Sequence, residues 1–226
     1  MVSNSMSKHA AIALLAIAAL AVGTAPTSAE AQDANLRGVW QIAERTTEVQ
    51  PVTGSLPFTR EGRERYRENR ALRARGAIDD YDLTRSRCSN PGVPRLALTP
   101  MRFKIWEQAG VITFDYEWNR AIRQIDLRGG EKERPLVPNV TGLSSARWEG
   151  NTLVARTIDV ADKTLVDDLI PRSPDMIVTE NYRLIDYDTL ENRVMIEDPV
   201  MFTRPWEFVI TYRRQPDTIF PEDVCL

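Results

Sequence analysis

Val111-Ile112-Thr113-Phe114-Asp115-Tyr116-Glu117-Trp118 alternates apolar and polar residues with a period of two. That is the period of a strand with one buried face and not that of a helix. Ile112, Phe114, Tyr116 and Trp118 share one side, and Thr113, Asp115 and Glu117 the other. Upstream, Met101, Phe103 and Ile105 alternate with Arg102 and Lys104, and Ala109-Gly110 separates the two runs by a hairpin turn. Downstream, Asn119-Arg120 turns the chain into 121–127, where Ile125 and Leu127 share a face with Arg123. The pattern then recurs in two hairpins. Residues 144–148 and 152–159 flank Gly150-Asn151, and residues 176–185 and 193–197 flank the turn 186–192. Trp206, Phe208, Ile210 and Tyr212 form a last apolar row, and 36–42, entered through Gly38, a first one. Eight or nine strands joined mostly by short turns predict an antiparallel meander. A sheet with one apolar face must roll up or stack, and simple hairpins favour an up-and-down, lipocalin-like barrel over a Greek-key sandwich.

One helix precedes these rows. Thr59 is its N-cap, Gly76 its stop, and Arg60, Arg63, Arg65, Arg67, Arg70, Arg73 and Arg75 face Glu61, Glu64 and Glu68. Tyr66, Ala71 and Leu72 offer it little apolar cover, so this arginine-rich helix is expected to be solvated, over a barrel mouth or sheet edge. Asp79, Asp80 and Asp82 follow it as counter-charge. Docking to an acidic partner or to anionic lipid is the alternative use of so many guanidinium groups. Residues 88–100, with Pro91, Gly92, Pro94 and Pro100, form an irregular connector.

The N-terminus sets the compartment. Lys8 precedes an apolar run over 10–22, and Ala29-Glu30-Ala31 supplies small residues at a cleavage site. The run is shorter than the roughly 20 residues a spanning helix needs. Residues 1–31 are therefore expected to be a signal peptide, and 32–226 a single periplasmic or secreted domain without stable membrane insertion. The net charge of -3 gives no global pull toward nucleic acid. Cys88 and Cys225 are the two cysteines, and an even count in an oxidising compartment reads as a disulfide.

Arg147-Trp148-Glu149-Gly150-Asn151-Thr152-Leu153-Val154, with Asp198-Pro199 and Thr203-Arg204-Pro205-Trp206 later, resembles a large family of exported bacterial proteins. Cys88-x-x-Pro91-Gly92-x-Pro94-Arg95 and a cysteine near the end also look like its pattern. The resemblance covers roughly 38–225; it implies a shared fold and export and little about reaction. Where that pattern usually carries a Gly-His-Ser-like segment, this chain has Gly142-Leu143-Ser144-Ser145. Gly38-Val39-Trp40 is similar to the first-strand Gly-x-Trp of lipocalins, and Arg213 or Arg214 then corresponds to the arginine that covers that tryptophan.

The one histidine, His9, lies in the signal segment. Histidine triads and dyads are therefore excluded from the domain, as are metal sites built on imidazole. Carboxylate, tyrosine, lysine and arginine chemistry remain. Candidate acid pairs are Asp115 with Glu117 and Glu180 with Asp198. Glu180 sits in a row with Met176, Val178, Tyr182 and Leu184, so it needs a partner or a function, and Arg123 or Arg147 can supply the partner. The leading expectation is a barrel that binds a small, largely apolar or aromatic molecule in its interior. Tyr116, Trp118, Tyr182, Phe208 and Tyr212 would line it, with Arg123, Arg147 and Glu180 fixing polar ends. The first alternative is a histidine-free isomerase, lyase or cyclase acting through Glu180, Tyr182 or Asp198. The second is an accessory protein that docks through its arginine-rich helix. Neither a cofactor nor a metal site is expected.

Overall fold

The period-two rows fold into nine strands: β1 (Gly38–Ile42), β2 (Phe103–Gln108), β3 (Val111–Tyr116), β4 (Ile122–Asp126), β5 (Leu143–Glu149), β6 (Thr152–Ile158), β7 (Ile177–Asp186), β8 (Thr189–Glu197) and β9 (Trp206–Gln215). The computed structural model describes residues 1, 35–77, 89–129, 136–161 and 164–221. Residues 2–31 of the expected signal peptide, Asp79, Asp80, Asp82, Cys88 and Cys225 lie outside them, and the expected disulfide with them. The strands close into a barrel in chain order, with β9 returning to β1.

Eight seams are antiparallel, and β4–β5 is parallel through Ile125↔Ser144 and Asp126↔Ser145. The expectation of a wholly antiparallel meander is corrected there. Parity is the reason: an odd number of strands alternating up and down cannot close without one parallel neighbour pair. β5 accordingly begins at the end of the barrel where β4 also begins. β8 also starts earlier than the sequence pattern suggested. Leu190 and Asn192 extend the inward row of Val194 and Ile196, which leaves a tight turn at Tyr187-Asp188.

The two ends of the barrel differ. One carries the short turns Ala109-Gly110, Gly150-Asn151 and Tyr187-Asp188. The other carries the described residues of the segments 43–102 and 159–176, and the connector 198–205. Inward-facing Trp40, Phe114, Ile125, Leu153, Val178, Tyr182, Val194, Phe208 and Tyr212 are all buried. The Arg214 guanidinium lies 4.1 Å from the Trp40 ring centroid and donates to the carbonyls of Arg37 (2.9 Å) and Tyr187 (2.7 Å). Of the two arginines considered, Arg214 is the one that covers the tryptophan.

The arginine-rich helix, α1 (Arg60–Ala74), sits on the long-loop end, capped by Thr59 Oγ1 accepting from Gly62 N at 3.0 Å. Its packed side is Gly62, Tyr66, Asn69 and Arg73. Tyr66 stacks near Phe58, Asn69 donates to the Leu169 carbonyl at 2.9 Å, and Arg73 pairs with Asp168 at 3.0 Å. A Cβ at Gly62 would stand 2.1 Å from the Met201 carbonyl oxygen. In a helix interior Ala normally gains roughly 0.5–1 kcal/mol over Gly. Here the obstacle is backbone, and overpacking of this kind costs about 1–3 kcal/mol. Gly62→Ala is therefore expected to lose about 1–2 kcal/mol in urea denaturation, and a gain would show that the helix is not seated on Met201.

Candidate functional site

Inside the barrel, five strands converge on one polar layer. Arg123 is the inward residue of β4, Glu180 of β7 and Asn192 of β8; Ser144 and Thr157 join them from β5 and β6, and all are buried. Arg123 makes a two-pronged ion pair with Glu180, with Nη1 at 3.0 Å from Oε1 and Nη2 on Oε2. Nη2 also donates to Thr157 Oγ1 at 2.9 Å. Glu180 further accepts from Tyr182 Oη at 2.8 Å and from Asn192 Nδ2 at 3.3 Å. Two atoms of the layer, Arg123 Nε and Asn192 Oδ1, have no hydrogen-bond partner among the described residues.

The electrostatics follow from this geometry. Burial on its own pushes the Glu180 carboxyl up. The Arg123 charge and hydrogen bonds, with those from Tyr182 and Asn192, outweigh it and hold the group below its ordinary 4.5. Desolvation pushes the Tyr116, Tyr182 and Tyr212 hydroxyls up. Glu180 therefore stays ionised and the tyrosines stay neutral at physiological pH, which suits an ion pair and not a proton relay.

Other expected site residues go elsewhere. Arg147 stands on the outer wall, its side chain 70% exposed and paired with Glu149, so it neither reaches Glu180 nor lines the interior. Trp118 leaves β3 for a short turn of helix and donates to the Ser89 carbonyl at 3.1 Å, at the long-loop end. Asp198 lies past the end of β8, where its carboxylate accepts from Ser173 N, Ser173 Oγ, Val200 N and Met201 N. It organises connectors and does not pair with Glu180. Asp115 and Glu117 do not act together either: Glu117 is held by Arg102 at 2.7 Å, and Asp115 lies 3.6 Å from Arg120. Phe208 faces inward and packs on Trp206, and Tyr212 donates to the Ala97 carbonyl at 3.0 Å.

A cleft at the hairpin end was not foreseen. Leu36, Ile105, Ile112, Trp106 and Trp148 line it, with Asn35, Arg37 and Glu107 at its rim, and its volume is about 250 Å³. Leu36, Ile105 and Ile112 are buried, Trp148 is half-buried and Trp106 is exposed. A second, shallower hollow of about 700 Å³ adjoins it, sharing Arg37, Ile105 and Trp106.

No protein-family model and no curated protein matches the chain. Among solved structures it is similar to a secretary abundant heat soluble (SAHS) protein from Ramazzottius varieornatus. That match has 11% sequence identity and a TM-score of 0.32, and it covers 82% of this chain and 99% of the other.

A second buried charged group was also missed by sequence reasoning, because its members come from irregular loops. Arg95 pairs with Asp168, which also holds Arg73 of α1. The neighbouring Asp167 accepts from the backbone N–H groups of Val49, Leu169 and Ile170. Desolvation pushes Asp167 up to about 6 against those bonds. This group ties three loops and the helix together at the long-loop end.

Proposed function

We propose that this chain is an exported β-barrel that binds a small, largely apolar or aromatic molecule, and that it does so in the cleft at its hairpin end. The cleft carries the reading. Two tryptophans and three aliphatic side chains converge on about 250 Å³, with Arg37 and Glu107 beside them to orient a polar group. Engineered apolar cavities of about 150 Å³ hold benzene, and drug-sized ligands occupy about 300–1,000 Å³. The fitting ligand is thus one or two aromatic rings, or a short acyl chain.

The proposal includes the export and the family resemblance read from the sequence. Trp148, of the Trp-Glu-Gly motif, lines the cleft together with Leu36 and Arg37, which lead into Gly38-x-Trp40. The interior layer is then a scaffold beneath the site. The catalytic alternative gains no support from Glu180, which Arg123 keeps ionised.

The test is isothermal titration calorimetry with indole, naphthol and medium-chain fatty acids. Saturable heat is expected, and Trp148→Ala should weaken binding about tenfold or more, as truncating a central aromatic anchor does. Arg147→Ala, on the outer wall, should leave it unchanged. Binding that ignores Trp148→Ala would place the ligand elsewhere, and no saturable binding across the panel would end the proposal.

A further inference from the structure

The helix α1 segregates its charges. At 3.6 residues per turn, Arg60, Arg63, Arg67 and Arg70 fall within an arc of about 80° along roughly 15 Å of helix. Glu61, Glu64 and Glu68 occupy the other flank, and Arg65 is paired there with Glu61 at 2.7 Å. All four flank arginines are exposed, and none has an ion-pair partner among the described residues. The helix cannot easily roll to bury them. Gly62 is seated on Met201, Asn69 bonds Leu169 and Arg73 pairs with Asp168, which fixes the flank toward solvent.

We infer that the Arg60, Arg63, Arg67 and Arg70 flank of α1 is an electrostatic docking site for an anionic phospholipid surface. Guanidinium groups pair with phosphate oxygens in a two-pronged geometry. A protein interface draws its affinity from buried aromatic and apolar anchors. This arc carries none: the exposed Leu72 lies on the acidic flank. A charged membrane surface needs only fixed cations, each adding severalfold to binding within a Debye length. The net charge of -3 supplies no global attraction to an anionic surface, so this flank sets the orientation of docking.

The test is co-sedimentation of the full chain with vesicles of phosphatidylcholine alone and with added phosphatidylglycerol. Any contribution of the N-terminal apolar segment is common to wild type and variants, so their difference reads the flank. Binding is expected to require phosphatidylglycerol and to fall in high salt. Replacing all four arginines with Gln should weaken it by several hundredfold, roughly a thousandfold at most, while Glu61, Glu64 and Glu68→Gln should not weaken it. If the fourfold variant does not fold, Arg60→Gln/Arg67→Gln and Arg63→Gln/Arg70→Gln should each lose about thirtyfold. Phosphatidylglycerol binding that survives these substitutions would overturn the inference. So would retention on polyglutamate without vesicle binding, which would assign the flank to an acidic protein.

Discussion

Replacing Arg123 with Met is expected to destabilise the barrel by about 3–5 kcal/mol, because it leaves Glu180 charged, buried and without its partner. Glu180 is fully buried and takes both prongs of the guanidinium, and Tyr182 and Asn192 add only neutral donors. Such a pair is not itself a large source of stability, since desolvating two ions offsets most of their attraction. The double variant Arg123→Met/Glu180→Leu separates the two ideas. If the cost is the orphaned charge, the double variant should be more stable than Arg123→Met alone, giving a strongly favourable coupling in the cycle. Urea denaturation of all four proteins measures this. A single-variant loss of about 1 kcal/mol or less would mean that water reaches Glu180 and the layer is not dry.

The same pair sets a pH dependence. The folded Glu180 pKa lies below its ordinary 4.5, so its contribution is complete above that value and disappears as pH falls through the depressed one. Glu117, held down by the Arg102 hydrogen bonds, acts in the same direction. Asp167 opposes them: raised to about 6, it takes up a proton more readily folded than unfolded, so it removes stability as pH rises from 3.8 to about 6. Stability should therefore rise by about 1 kcal/mol as pH falls from neutral to 5, through Asp167, and fall steeply below about 4 as Glu180 and Glu117 protonate. In Arg123→Met the Glu180 contribution should reverse sign, so the variant gains stability as pH falls, because burial without the guanidinium favours the protonated carboxyl.

Period two made the barrel and its polar layer legible. Val178, Glu180 and Tyr182 share a face by alternation, and Arg123 shares one with Ile125, so both ends of the ion pair point inward from sequence alone. The same alternation puts Arg147, between Ala146 and Trp148, outward, and proximity in sequence to the motif does not change that. Asp198 does not reach Glu180 because Pro199 has no N–H to give and the ladder ends at Glu197, which puts Asp198 in the connector. Trp118 continues the alternation of β3 on paper, yet the backbone turns at Asn119, which has a positive φ of 48°. The cleft was not legible, because residues 35–37, 105–112 and 148 meet only once the barrel has closed. The parallel seam was equally invisible: it depends on whether the strand count is even or odd.

Asp198→Ala should cost about 3 kcal/mol or more and should loosen α1 before it unfolds the barrel. The carboxylate is 3% exposed and accepts from three backbone N–H groups, Ser173 at 2.6 Å and Val200 and Met201 at 3.1 Å each, besides the Ser173 hydroxyl. Alanine leaves those N–H groups without the acceptor, and each buried orphan costs about 1–3 kcal/mol. The hydroxyl can rotate toward other acceptors, so it adds less. The connector that Asp198 shapes is also the seat of the helix. Met201 O accepts from Thr59 N at 2.9 Å, Val200 O accepts from Thr59 Oγ1 at 2.7 Å, and Gly62 lies against the Met201 carbonyl. Losing the connector's shape therefore removes the helix cap and seat together, while the strand ladder of β7, β8 and β9 is untouched. Limited trypsin digestion reads this directly, because α1 is rich in arginine. In Asp198→Ala, cleavage within 60–75 should appear at urea concentrations where near-ultraviolet circular dichroism still shows an intact barrel. Asp198→Asn keeps one oxygen but turns an NH₂ group toward a donor, so about half the loss is expected. If Asp198→Ala is as resistant to trypsin as the wild type and loses less than about 1 kcal/mol, the connector is held by its backbone alone, and the anchoring of α1 must come from the Arg73–Asp168 pair.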